Sequence, residues 1–168
     1  MTTTESAPVT ATKLVFARSG GGRVQLGPSA LYAIRRHLQL GLDAAEAGGV
    51  LLGRYIAGTA DVVVDAVTEP MAGDRRSRAR FFRHRRGHQL AIKSAWSESG
   101  GTSAWLGEWH THPEPDPSPS FIDRLDWRRK LTVDRYEEAL FFLIAGTDRL
   151  RAWEGARHRR VYALPHFT

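Results

Sequence analysis

Cysteine is absent from this 168-residue chain. Its absence excludes a disulfide framework, thiolate metal ligands and a cysteine nucleophile, and it suits a cytoplasmic setting. No run approaches the ~18 continuous apolar residues of a membrane span, so no membrane partner is expected. Acidic residues are the scarcer charge, 18 against 24 basic, and the net +6 rests almost wholly on arginine. Such an excess serves solubility, or it faces an acidic protein surface or nucleic acid. There is no internal repeat. Residues 1–12, rich in Thr, Ser and Ala, lack both the basic start and the apolar run of a signal peptide and read as a disordered tail. The remainder, 13–168, is long enough for one well-filled domain and too short for two.

What is present concentrates at residues 104–123. The run Ala104-Trp105-Leu106-Gly107-Glu108-Trp109 reads as a buried strand, with Trp105 and Trp109 as core. Successive strand residues alternate faces, so His110 and His112 point the same way, with Glu108 beside them. Pro113, Pro115 and Pro117 then stop any ladder or helix. Ser118-Pro119 reads as an N-cap followed by a first-turn proline. Ser120 and Asp123, three apart, share a face of the helix that follows. Two imidazoles and one carboxylate thus converge, leaving a fourth tetrahedral position for water. That is the pattern of a catalytic zinc, one per chain, rather than a structural one.

The rest of the chain supplies the scaffold. Strands are expected at 13–17, 23–26, 50–56, 61–67, 139–145, 150–153 and 160–164, counting the run before the histidines separately. Helices are expected from Pro28, with Leu31, Ile34 and Leu38 inward, over 87–98, with Leu90 and Trp96 packing, and over 121–131, with Ile122, Leu125 and Trp127 inward. His37 reads as a half-buried packing residue. Strands and segregated helices make an α+β pattern, a mostly antiparallel sheet flanked by helices. The run 75–86, eight of whose twelve residues are Arg or His, carries no clear stripe and reads as a basic loop.

His110-x-His112, seven residues, then Ser120-x-x-Asp123 resembles the signature of the JAMM (MPN+) metallopeptidases. Glu46-x-x-Gly49-x-Leu51-x-Gly53 is similar to that family's upstream element. The resemblance implies the MPN fold, a curved sheet with its zinc site between a strand end and a helix start. It implies His110, His112 and Asp123 as ligands, Glu46 as general base and Ser120 as a hydrogen-bond donor to the oxyanion. Glu108, where relatives often carry an aromatic residue, is expected to orient an imidazole N–H from behind. The Gly-Glu-Trp-His-Thr-His-Pro-Glu stretch most resembles a prokaryotic, deubiquitinase-like branch. Its members occur beside ubiquitin-activating- and ubiquitin-conjugating-like enzymes, including in antiphage operons of the CBASS type. The resemblance therefore implies an isopeptidase acting at the C terminus of a ubiquitin-like or similarly conjugated protein. The charge of the 75–86 run, which otherwise serves only as a solvated turn, adds the expectation that Arg78, Arg80 and Arg83 contact that substrate. A RadC-like branch, associated with DNA metabolism, carries a similar run and keeps a nucleic-acid reading open, weakened because nothing in the motif provides for phosphodiester chemistry. A non-catalytic MPN scaffold is the other alternative, and the complete ligand set argues against it.

Overall fold

Thirteen short strands and three helices form from these patterns in the computed structural model, which describes residues 3–167. In chain order they are β1 (Thr3–Thr4), β2 (Ser6–Pro8), β3 (Leu14–Ala17), β4 (Arg23–Leu26), α1 (Pro28–Arg35), β5 (Gly48–Tyr55), β6 (Val62–Val67), β7 (Arg75–Ser77) and β8 (Arg80–Phe82). There follow α2 (Arg85–Glu98), β9 (Ala104–Thr111), α3 (Phe121–Val133), β10 (Leu140–Ala145), β11 (Arg149–Gly155), β12 (Tyr162–Leu164) and β13 (His166–Phe167). Eleven strands make one sheet in the order β1-β13-β3-β4-β6-β5-β9-β10-β11-β12, with β2 paired to β11. Most neighbours are antiparallel; β4–β6 and β9–β10 are parallel. The α+β class and the sheet flanked by helices are those expected.

β10 explains the layering. All six of its residues are buried. Phe141, Leu143 and Ala145 enter the main core with α1's Ala30, Leu31 and Ile34. Leu140, Phe142 and Ile144 face the other way, under Trp127 and Leu131 of α3. Trp127 stacks on Phe142 with ring centroids 4.6 Å apart. A strand covered on both faces needs a continuous apolar run, which is how this one reads in sequence. The β9–α3–β10 unit is a parallel crossover, and that topology positions the site. It sets the start of α3 beside the C-terminal end of β9, where the two histidines sit.

Several expectations change. The supposed disordered tail is instead sheet over Thr3–Thr4 and Ser6–Pro8, pairing with β13 and β11; Ala7 and Val9 are buried. Strands of two or three residues leave no periodic signal. The basic loop contains the hairpin β7–β8. Leu90 and Trp96 of α2 are exposed, and only His88 of that helix is fully buried. Ile122 and Leu125 are also exposed, because the inward stripe of α3 is Trp127, Lys130 and Leu131.

Trp105 packs, half-buried, on the second cluster under α3 rather than in the main core with Trp109, and a bulge is the reason. Between Leu51 and Leu52 the β5–β9 register shifts, and Gly107 takes φ +142°. Leu106 and Trp109 thereby share the core face, while Trp105 turns to the side of Glu108 and His110. A Cβ on Gly107 would collide with the Phe141 carbonyl, and that φ is strained for any L side chain. Gly107→Ala is expected to destabilise the protein by about 2–5 kcal/mol. A denaturant midpoint equal to wild type would contradict this reading of the bulge.

Candidate metal and catalytic site

His110, near the end of β9, and His112, just beyond it, have ring centroids 4.8 Å apart and Nε2 atoms 3.0 Å apart. Asp123 reaches both from the first turn of α3, Oδ1 at 3.4 Å from His110 Nε2 and Oδ2 at 3.5 Å from His112 Nε2. Glu46 arrives from the segment before β5, with Oε1 3.8 and 3.7 Å from the same two nitrogens. The sheet dictates that arrival: Gly48 pairs with His110, and the Thr111 N–H donates to the Ala47 carbonyl.

The donor set fits a small divalent cation. Bonds of about 2.0–2.2 Å in a tetrahedron place ligand atoms about 3.3–3.6 Å apart. The separations among His110, His112 and Asp123 lie close to that range, and Glu46 is slightly farther out. Glu46, His110 and His112 by themselves each bring one donor atom within 4.8 Å of the others. Geometry therefore admits Glu46 either as a ligand or as a base just outside the ligand set.

Electrostatics distinguishes the carboxylates. Burial pushes the Glu46 carboxyl above the usual carboxylate range, opposed in part by the two imidazoles. Burial acts the same way on Asp123, but hydrogen bonds from His110 and His112, with Ser120, outweigh it and hold Asp123 well below that range. Burial would lower the His112 imidazole, yet Asp123 and then Glu46 raise it. Two carboxylates a few ångströms apart are thus driven in opposite directions, the usual mark of divided acid and base roles.

Ser120, not Ser118, caps α3. Its Oγ accepts from the Asp123 N–H at 3.1 Å, while the Ser120 N–H donates to Asp123 Oδ2 at 2.7 Å, a reciprocal capping box. One carboxylate oxygen is thereby held in place by backbone. Ser120 lines a groove of about 1110 Å³ together with Glu46 and the two histidines. Trp105 and Glu108 lie along the groove floor, the β8 segment and α2 form one wall, and α3 forms the other.

Glu108 does not orient an imidazole. Its Oε1 takes Arg83 at 2.5 Å and its Oε2 takes Lys130 at 2.9 Å, with Asp126 on the far side of Lys130. The Arg83, Glu108 and Lys130 side chains are 19%, 15% and 10% exposed, so this is a largely buried chain of charges joining the hairpin segment, β9 and α3. Burial alone would raise the Glu108 carboxyl, but Lys130 and Arg83 outweigh it and hold it below the usual range. A carboxyl depressed on folding stabilises the protein above its unfolded value of about 4.3, and the contribution is lost as pH falls through the folded value. Glu108→Gln, which leaves two cations facing a neutral amide, is expected to cost about 3–5 kcal/mol near pH 7. The gap to wild type should narrow as pH falls below about 4. Urea midpoints for both proteins across that range check it, and a constant gap would contradict it.

The arginines expected at the substrate separate. Arg80 lines the groove and lies over the Phe82 ring at 5.3 Å. Arg83 lines it too, but is held by Glu108. Arg78 turns away, donating to the Gly41 and Leu42 carbonyls. Several residues that support the site carried no sequence signal. They include Lys130 and the buried set Thr68–His88–Asp74, in which His88 Nδ1 meets Thr68 Oγ1 at 2.7 Å and Nε2 meets Asp74 Oδ2 at 3.0 Å. His37 is half-buried as expected, and its Nε2 meets Glu69 at 2.7 Å.

Residues 28–156 match the family described as prokaryotic homologs of the JAB domain. This chain belongs to that family. Glu46, His110, His112, Ser120 and Asp123 all fall inside the matched JAB region. A Pseudomonas aeruginosa protein named CD-NTase/cGAS isopeptidase is 39% identical over 122 residues, covering 73% of this chain and 76% of that protein. A Vibrio cholerae protein of the same name is 42% identical over 119 residues, covering 71% and 72%. A third, from Escherichia coli, is 30% identical over 145 residues, covering 86% and 88%. A Desulfitobacterium hafniense protein solved in solution shares the fold with a TM-score of 0.57 and 22% identity, over 82% of this chain and 87% of that one. Among the described residues no helix is long and apolar enough to cross a membrane.

Proposed function

We propose that this JAB protein is a zinc-dependent isopeptidase that hydrolyses the amide after the C terminus of a ubiquitin-like or similarly conjugated protein. The observation that carries the reading is the meeting of the buried Glu46 carboxylate with His110, His112 and Asp123 in an open groove. His110, His112 and Asp123 would hold the ion, and when bound it supplies Lewis acidity at the scissile carbonyl. Glu46 takes a proton from the attacking water and returns it to the leaving amine. Its raised pKa suits both halves of that exchange. The Ser120 hydroxyl, beside the same site, donates to the developing oxyanion. The groove accepts an extended tail beside β8, and Arg80 on its wall favours acidic groups of the substrate, a contribution that salt should weaken.

The relatives' name, CD-NTase/cGAS isopeptidase, supports the isopeptidase reading. We infer a matching setting for this chain: deconjugation or maturation in a cytoplasmic antiphage conjugation system, in company with ubiquitin-activating- and ubiquitin-conjugating-like enzymes. The test offers the purified protein a C-terminal protein fusion, a lysine-linked conjugate, and single- and double-stranded DNA. Cleavage at the junction of the protein substrates, abolished by chelator, is expected. Metal-dependent cleavage of DNA with both protein substrates intact would overturn the proposal in favour of a nucleic-acid role.

A further inference from the structure

Glu46 lies in a stretch, residues 41–47, with no helix or strand to fix it. Its position depends on hydrogen bonds from elsewhere. The hairpin provides two: the Glu46 N–H donates to the Ser77 carbonyl at 2.8 Å, and Arg76 Nε donates to the Glu46 carbonyl at 2.8 Å. Arg76 also donates to the Ala45 carbonyl and the Thr111 N–H to the Ala47 carbonyl, and one buried amide joins these pieces.

Gln39, 3% exposed, sits just beyond α1. Its Nε2 donates to the Ala44 carbonyl at 3.0 Å and to the Arg78 carbonyl at 2.8 Å. Its Oε1 accepts from Thr111 Oγ1 at 3.1 Å. Thr111, fully buried between the two histidines, also accepts the Ala47 N–H at 2.9 Å on the same Oγ1. The chemistry permits only this orientation. Thr111 receives a proton from Ala47 and so must give its own to Gln39, while both amide protons of Gln39 meet carbonyls. Flipping the amide would set its oxygen against two other oxygens. Each side-chain donor and acceptor is satisfied in one way, so the network is rigid rather than adaptable.

We infer that Gln39 is a positioning residue: it sets the reach of Glu46 to the histidines by tying the Glu46 segment, the histidine strand and the β7–β8 turn to one amide. The segments it joins are residue 44, two before Glu46, residue 111, between the histidines, and residue 78, at the turn of the hairpin. A displacement of a catalytic group by about 1 Å can cost on the order of 100-fold in rate. The inference rests on reading Glu46 as the base of the proposed reaction, so it is tested by one readout that needs catalysis and one that does not.

Gln39→Met keeps length and loses all three hydrogen bonds; Gln39→Asn keeps the amide one methylene short, and stands in where the first variant folds poorly. In the metal-loaded full chain, Gln39→Met should lower kcat by about 10- to 100-fold with KM within about twofold and metal content unchanged. Gln39→Asn should fall between it and wild type. Independently, amide hydrogen exchange at Glu46 and Ala47 should quicken by about tenfold or more, while Phe141 and Leu143 in the central strand stay as protected as in wild type. A role confined to general stability would quicken exchange at all four and leave kcat per folded molecule unchanged. That result, or unchanged exchange at Glu46 and Ala47, overturns the inference. A wild type that cleaves no conjugate refutes the peptidase reading instead, and the exchange arm then decides on its own whether Gln39 holds the segment.

Discussion

Glu46→Gln is expected to lower turnover by about 10²- to 10⁴-fold while the protein keeps its metal. The substitution preserves size and removes the proton acceptor. Glu46 stands 3.7–3.8 Å from the imidazole nitrogens, slightly farther than Asp123, and burial raises its pKa. Both facts describe a group poised to exchange a proton rather than one committed to holding a cation. KM should change little, because the substitution leaves Arg80 and the other lining side chains of the groove in place. Elemental analysis beside steady-state kinetics checks the claim. If the variant loses its metal together with its activity, Glu46 is a ligand, and the base must be sought elsewhere.

His112→Ala is expected to lose bound metal and with it essentially all turnover, on the order of 10⁴-fold or more. Its Nε2 lies within 3.0–3.7 Å of a donor atom from each of the other three residues, so it sits at the point where the ligand atoms converge. Asp123→Ala should also lose metal, and it carries a second penalty. The capping box disappears, at a cost of about 1 kcal/mol that persists in metal-free protein. Asp123→Asn retains an acceptor for the Ser120 N–H, so its metal-free stability should stay near wild type while metal affinity falls. Thermal denaturation of the three variants in chelator separates ligand from cap. Equal metal-free stability for Asp123→Ala and Asp123→Asn would mean that the box contributes nothing.

The site was legible where chemistry is local. His110, His112, Ser120 and Asp123 sit within fourteen residues, and strand alternation followed by helix spacing brings them to one point. The central strand was legible for the same reason, as a continuous apolar run. Glu46 was not readable from physics alone: a lone acid before a strand is usually solvated, and only the resemblance singled it out. Glu108 misled because strand alternation gives its face but not its partners. Arg83 and Lys130, 25 residues before and 22 after, claim both of its oxygens. Trp105 misled because one bulge reverses the alternation on which the reading depended. Gln39 reads in sequence as an outward-facing polar residue of the first helix, yet it is buried, and Thr68 and His88 carry no signal, since a buried polar residue reveals its role only when its distant partners are in place.

The most direct measurement strips the purified protein of metal and returns zinc in steps while following cleavage of a C-terminal conjugate, with product masses read at each step. The account predicts no cleavage without metal, full activity at about one equivalent per chain, and products that differ from the substrate by hydrolysis at the junction alone. Undiminished cleavage by the stripped protein, or zinc-loaded protein that leaves the junction intact, would contradict it.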